Sequence, residues 1–190
     1  MIAIVDTGGA NLASVVNALN RLQQKAELTQ DPDLLKRASH VILPGVGAGR
    51  DAMERVRKAD LIEAVRELKQ PVLGICLGMQ LLFDSSEEGN VDCLGIIPGR
   101  VRKLAQLVVP HMGWNQVEGT GPLYKGLAEN SYFYFVHSFV VPEGPWVTGR
   151  FDYGGKFTAS IEKDNFFGVQ FHPERSAGAG HELLRNFLCL

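Results

Sequence analysis

Cys76 sits in Gly74-Ile75-Cys76-Leu77-Gly78, behind the apolar run Pro71-Val72-Leu73 and ahead of Met79, Leu81, Leu82 and Phe83, whose spacing predicts a helix. A strand, a sharp turn and a helix with a thiol at the apex form a nucleophile elbow, with cysteine in the place of serine. Small residues two before and two after the nucleophile permit the strained backbone that lifts its side chain above the sheet. A cysteine at a helix N-terminus is favoured as thiolate, the reactive form, by the positive end of the helix dipole. The N–H of Leu77 points into the same space as half of an oxyanion hole. A buried core cysteine in a glycine-bounded turn has the same local sequence, so the assignment depends on partners for the thiol.

His172-Pro173-Glu174 supplies them. The segment ends the apolar run Phe167-Gly168-Val169-Gln170-Phe171, and Pro173 biases His172 to extended backbone. Residues i and i+2 of an extended segment point the same way about 6.6 Å apart, so Glu174 can reach the imidazole and fix which nitrogen faces the thiol. Pro44-Gly45-Val46-Gly47, at another strand end, is the natural source of a second oxyanion donor, the amide of Val46 or Gly47. A phosphate-binding turn is the competing reading of that segment, but it lacks a GKS or GxGxxG pattern. Gln80 lies one helical turn beyond Cys76, where its amide can line the thiolate pocket. His40 and His181 read as structural or solvated.

The remaining composition is that of a globular enzyme. The 190 residues suit a single domain, residues 1–190, and a net charge of −2 with scattered lysines and arginines argues against nucleic acid or an anionic membrane. Cys76, Cys93 and Cys189 form no CxxC, so neither a disulfide framework nor a metal site is expected. No apolar run approaches the roughly 20 residues of a membrane span. A soluble cytoplasmic protein without cofactor or metal is the expectation.

The elements that must position these residues are legible in the apolar patterning. The first half alternates short apolar runs with amphipathic segments, the βα rhythm of a mostly parallel sheet. Strands are predicted at 2–5, 26–29, 40–43 and 71–75, and helices from Leu12 behind a cap at Asn11, from Asp31-Pro32, and over 51–57 and 60–69. The loops at 6–11, 44–49 and 76–78 then converge on the carboxyl edge, where ligands bind in open α/β sheets. Strand-like segments at 100–104, 132–136, 146–151, 157–161 and 166–171 predict a C-terminal antiparallel extension, and a last helix spans 181–188. The fold class is α/β: an open, mostly parallel sheet flanked by helices.

Two other uses of the elbow stand at this point. One is acyl transfer on peptides or esters by Cys76 and His172. The other is a noncatalytic redox sensor in which Cys76 is oxidised to sulfenate, which leaves Glu174 and the 44–47 turn without a role.

Gly74-Ile75-Cys76-Leu77-Gly78-Met79-Gln80, His172-Pro173-Glu174 and Pro44-Gly45 together resemble the class I, triad-type glutamine amidotransferases. Within that class, Pro44-Gly45-Val46-Gly47, Pro110-His111-Met112-Gly113-Trp114-Asn115, Tyr134-Phe135-Val136-His137-Ser138 and His172-Pro173-Glu174-Arg175-Ser176 are similar to the glutaminase subunits of imidazole glycerol phosphate synthases. The resemblance runs from Ile2 to the C-terminus. It implies that Cys76 attacks glutamine, that His172 moves protons and that Glu174 orients His172. It also implies that Gly45, Gly47, Gln80, Glu88 and Ser138 bind the substrate, with Glu88 facing its α-ammonium group. Ammonia then passes to a separate cyclase subunit, HisF, in a heterodimer of histidine biosynthesis. Arg175 stands where some relatives have lysine, and Ala48-Gly49 follow where some have an aromatic residue. The cyclase is expected to contact Asn11, Ser14, Trp114 and Arg175, with the mixed patch of His111, Met112, Trp114 and Asn115 exposed.

Overall fold

The computed structural model describes residues 1–8, 12–45, 47–106 and 108–190. In chain order the elements are β1 (Ile2–Val5), α1 (Leu12–Arg21), β2 (Ala26–Thr29), α2 (Pro32–Arg37), β3 (His40–Leu43), α3 (Gly49–Lys58), α4 (Leu61–Arg66), β4 (Val72–Ile75) and α5 (Leu77–Gln80). There follow β5 (Phe83–Ser86), β6 (Val91–Asp92), β7 (Ile97–Lys103), β8 (His111–Gln116), β9 (Glu118–Gly119), β10 (Tyr132–His137), β11 (Phe139–Val140), β12 (Val147–Asp152), β13 (Lys156–Lys163), β14 (Phe166–Val169) and α6 (Ala177–Phe187).

The main sheet runs β2-β1-β3-β4-β14-β13-β12-β9. Its first five strands are parallel, and β13, β12 and β9 continue it antiparallel. Two-residue alternation divides the core between its faces: Ala3, Val5, Val41 and Leu43 pack toward α2, α3 and α4, whereas Ile2, Ile4, Ile42, Leu73 and Ile75 pack toward α1 and α6. Helix α2 starts on a side-chain cap, Asp31 accepting the amides of Asp33 and Leu34, with Pro32 in its first turn.

The parallel half matches the sequence reading closely. The cap expected at Asn11 lies outside the described residues. From the elbow onward the structure departs from it in four ways. β14 joins the parallel set, pairing with β4 in the register Gly168↔Gly74 and Val169↔Ile75. β7 belongs to a separate sheet, β11-β7-β5-β6, and β10 to a two-stranded one with β8. The helix behind Cys76 stops at Gln80, and Phe83 already begins β5. α6 starts at Ala177, earlier than the spacing suggested.

Candidate active site

Cys76 stands between β4 and the single turn α5 with φ 50° and ψ −106°, a strained conformation for any residue but glycine. The close approaches around it explain the glycines. A Cβ on Gly78 would lie 2.0 Å from the carbonyl oxygen of Leu43, and one on Gly45 would lie 2.0 Å from that of Ile75. The turn after β3 and the elbow after β4 therefore touch backbone to backbone. The Cys76 amide donates to the Val169 carbonyl at 2.7 Å, locking the elbow to the end of β14. Because α5 has only four residues, its aligned peptides supply little field at the sulfur.

That imidazole is His172, three residues beyond the end of β14. Its Nδ1 meets Glu174 Oε1 at 2.8 Å, both side chains buried, and the ring lies close enough to Cys76 for the two to interact electrostatically, while the thiol itself donates to the Val136 carbonyl at 3.8 Å. With Nδ1 committed to the carboxylate, Nε2 is the ring nitrogen left to serve the thiol. Burial works against charge on His172, but the hydrogen bonds to Cys76 and Glu174 and the negative charges of both outweigh it and hold the imidazole up at about 10. Cys76, His172 and Glu174 thus follow the ends of two adjacent parallel strands, β4 and β14. Their outer support is a set of backbone contacts: the His172 amide donates to the Tyr134 carbonyl at 2.9 Å, and the Ser176 hydroxyl donates to the His172 carbonyl at 2.6 Å.

The other expected site residues fall around this centre. Leu77 provides the first amide of α5, which the helix itself leaves without an acceptor. Gly47 adopts φ +97°, while Val46 lies outside the described residues. Gln80 is buried, and its Nε2 donates to the Phe139 carbonyl and to Gln170 Oε1, both at 3.2 Å. Glu88 is half-buried and accepts the Gly49 amide at 3.0 Å. Burial raises the pKa of Glu88 and that hydrogen bond partly offsets the rise. Ser138 lies at the bend between β10 and β11, its carbonyl taken by the Leu104 amide at 2.8 Å.

Sequence reasoning missed Gln170. This wholly buried side chain donates from Nε2 to Cys76 Sγ at 3.6 Å. An uncharged polar residue inside the run Val169-Gln170-Phe171 was the available signal, since a buried amide needs a partner.

Of the expected docking residues, Asn11 is outside the described set, Ser14 is partly exposed and Trp114 and Arg175 are exposed. Trp114 meets Tyr134 edge-on at 6.0 Å, and α1 packs against the 173–175 turn that carries Arg175. The patch on β8 is not uniformly exposed. Strand alternation turns Met112 and Trp114 outward and buries His111. Among the described residues no group of three or more histidines, cysteines and acids could hold a metal ion, and no helix is long and apolar enough to cross a membrane.

Residues 3–190 match the family Glutamine amidotransferase class-I. The chain is 50% identical, over 98% of both sequences, to the imidazole glycerol phosphate synthase subunit HisH of Shigella flexneri and to that of Escherichia coli K12. It is 49% identical to that of Yersinia pseudotuberculosis over the same share. A crystal structure of glutamine amidotransferase superposes with a TM-score of 0.79 at 20% identity, covering 98% of this chain and 96% of that one. PurLQS from Thermotoga maritima superposes with a TM-score of 0.72 at 19% identity, covering 99% and 97%. These two support the fold. With the elbow and its buried imidazole–carboxylate pair in place, the chain belongs to the class I glutamine amidotransferases, among the HisH subunits of imidazole glycerol phosphate synthase.

Proposed function

We propose that this protein hydrolyses L-glutamine to L-glutamate and ammonia through a thioester on Cys76 and delivers the ammonia to a separate cyclase subunit. The observation that carries the reading is the buried Cys76–His172–Glu174 alignment at the carboxyl ends of β4 and β14. The sulfur attacks the carboxamide carbon of glutamine. Negative charge then develops on the carboxamide oxygen, and the amides of Leu77 and of Val46 or Gly47 are the donors suited to meet it. The imidazolium gives its Nε2 proton to the departing nitrogen, so ammonia leaves and a neutral imidazole remains beside the thioester. That imidazole takes a proton from water, the resulting hydroxide adds to the thioester carbon, and the C–S bond breaks to release glutamate and restore the thiolate–imidazolium pair. Glu174 holds the ring in one orientation through both steps without itself accepting the proton.

Glutamine is the substrate that the family implies, with Gly45, Gly47, Gln80, Glu88 and Ser138 around it. The cyclase belongs in a cytoplasmic heterodimer that makes imidazole glycerol phosphate and aminoimidazole carboxamide ribotide. It docks over the edge that carries Ser14, Trp114 and Arg175, with Asn11 expected to join them, because free ammonia is protonated in water and a sealed exit beside the sulfur avoids that loss. The test is glutamate release from glutamine by the chain alone, with the cyclase, and with the cyclase plus its nucleotide substrate. Hydrolysis that rises with the last addition supports the reading. Turnover of asparagine or peptides in preference to glutamine overturns it.

A further inference from the structure

Two buried histidines that the triad does not use lie in line with it. His111 on β8 and His137 on β10 are cross-strand partners, and His111 Nδ1 meets His137 Nε2 at 3.0 Å. The far nitrogen of each ring is also engaged. His137 Nδ1 contacts the Phe139 carbonyl at 2.9 Å, and His111 Nε2 contacts Asn115 Nδ2 at 3.4 Å.

The ends of this run dictate its protons. A carbonyl oxygen only accepts, so His137 carries its hydrogen on Nδ1 and presents a bare Nε2 to its neighbour. His111 must then donate from Nδ1, and its own bare Nε2 takes the N–H of Asn115. The Asn115 amide is oriented independently, since Nδ2 donates to the Asp152 carbonyl at 2.7 Å and Oδ1 accepts the Gln116 amide at 2.8 Å. A second proton on either ring would set two donors face to face. Burial agrees with this, pushing both imidazoles down to about 4 against the weaker upward pull of the Phe139 carbonyl on His137.

The same Phe139 carbonyl accepts Gln80 Nε2, which also donates to Gln170 Oε1, while Gln170 Nε2 donates to Cys76 Sγ. One directed run thus starts at Asn115 on the exposed hairpin and ends at Phe139. There it meets a second run that ends at the reactive sulfur.

We infer that His111 and His137, each neutral with its hydrogen on Nδ1, are positioning residues that hold the Phe139 carbonyl and through it the Gln80–Gln170 amide pair against the Cys76 sulfur. The inference deepens the glutaminase reading and rests on it for its kinetic consequence. If His111 ceases to donate, His137 is released to carry its hydrogen on Nε2, which turns a lone pair toward the Phe139 carbonyl. The segment 137–139 then shifts, Gln80 loses one of its two acceptors, and the N–H of Gln170 drifts from the sulfur.

His111→Phe is the informative substitution, because it keeps a ring stacked among Phe135, Phe151 and Tyr153, at centroid distances of 4.8, 5.2 and 4.1 Å, and removes both nitrogens. His111→Asn returns an amide donor near the position of Nδ1. Three measurements on the full chain decide the matter. Nitrogen-15 NMR of the wild-type imidazoles at neutral pH is expected to show both rings neutral and protonated at Nδ1; a ring protonated at Nε2, or at both nitrogens, overturns the inference without any variant. The second-order rate at which iodoacetamide alkylates Cys76, read by peptide mass spectrometry, is expected to fall about tenfold in His111→Phe and to recover in His111→Asn, the scale of one hydrogen bond to a charged group. Unchanged alkylation in a folded His111→Phe protein overturns it. In glutamine hydrolysis kcat should fall while KM stays within about twofold, as for a group acting through the nucleophile rather than through substrate binding. A wild-type protein that ignores glutamine defeats the proposed function alone, since tautomers and alkylation are read without it.

Discussion

The backbone amide of His172 donates to the carbonyl of Tyr134, and Tyr134 lies directly across the hairpin from Trp114. His172 and the exposed Trp114 are thus separated by one strand. The Tyr134 amide in turn donates to the Ser176 hydroxyl at 2.9 Å, which clamps β10 to both ends of the 173–175 turn. A contact that presses on Trp114 would press on the frame of His172.

Coupling between the subunits should accordingly be sensitive at this face. Trp114→Ala and Arg175→Ala are expected to reduce the stimulation of glutaminase activity by the cyclase and its nucleotide several-fold, a coupling change of about 1 to 3 kcal/mol, with smaller effects on hydrolysis by the chain alone. Steady-state rates with and without the ligand-bound cyclase measure both. Full stimulation in both variants would place the docking surface elsewhere.

Only one thiol should matter to the chemistry. Cys76→Ala is expected to abolish glutamine hydrolysis and retain the fold, and an electrophilic glutamine analogue should label Cys76 alone. Cys93 is buried, and burial pushes its thiol up to about 11, whereas Cys189 is exposed. Cys93→Ser and Cys189→Ser should keep activity, and analogue adducts on either would sink the assignment.

His172 and Glu174 should separate in both rate and pH dependence. His172→Ala removes the proton carrier and should cost more activity than Glu174→Gln, which removes only the orienting charge. His172 keeps its proton to about 10 in the folded protein against 6.5 as an ordinary imidazole. The folded state therefore binds more protons than the unfolded one between those values. The resulting stability is fully present below pH 6.5 and is lost as pH rises through about 10. Urea unfolding at pH 6.5 and at pH 10 should show a smaller decline in Glu174→Gln than in wild type. An equal decline would detach Glu174 from the imidazole.

Gly78→Ala should be unusually damaging for so small a change, because its Cβ would overlap the Leu43 carbonyl, which is backbone and cannot rotate aside. A loss of about 1 to 3 kcal/mol is expected for a clash of this kind. Thermal unfolding with a parallel activity assay measures it. Wild-type stability would show that the elbow and the turn after β3 are looser than their contact implies.

The parallel half of the sheet was readable because each of β1, β3 and β4 is an apolar run closed by glycine, proline or a small polar residue, and the triad because Cys76 and His172-Pro173-Glu174 carry local signatures. α5 was overextended because Leu81, Leu82 and Phe83 satisfy helical spacing and a buried strand equally well. β7 was read only from Arg100 onward because Pro98 and Gly99 discourage a strand reading, and β6 and β11 in the same sheet have two residues each. The histidine pair was invisible for a different reason. His111 and His137 are 26 residues apart, and only the antiparallel register of β8 and β10 sets them side by side.

The placement of nucleophile and base on β4 and β14 also governs when activity arises during synthesis. These strands are neighbours in the sheet, yet Cys76 and His172 are separated by nearly the whole second half of the chain. A ribosome builds from the N-terminus, and folding can begin on what has emerged. The elbow and the strands β1 to β4 can therefore form early, whereas β14, His172 and Glu174 emerge only after β5 to β13 have been made. A nascent chain that has not yet passed Glu174 carries the Cys76 thiol without the imidazole–carboxylate pair beside it.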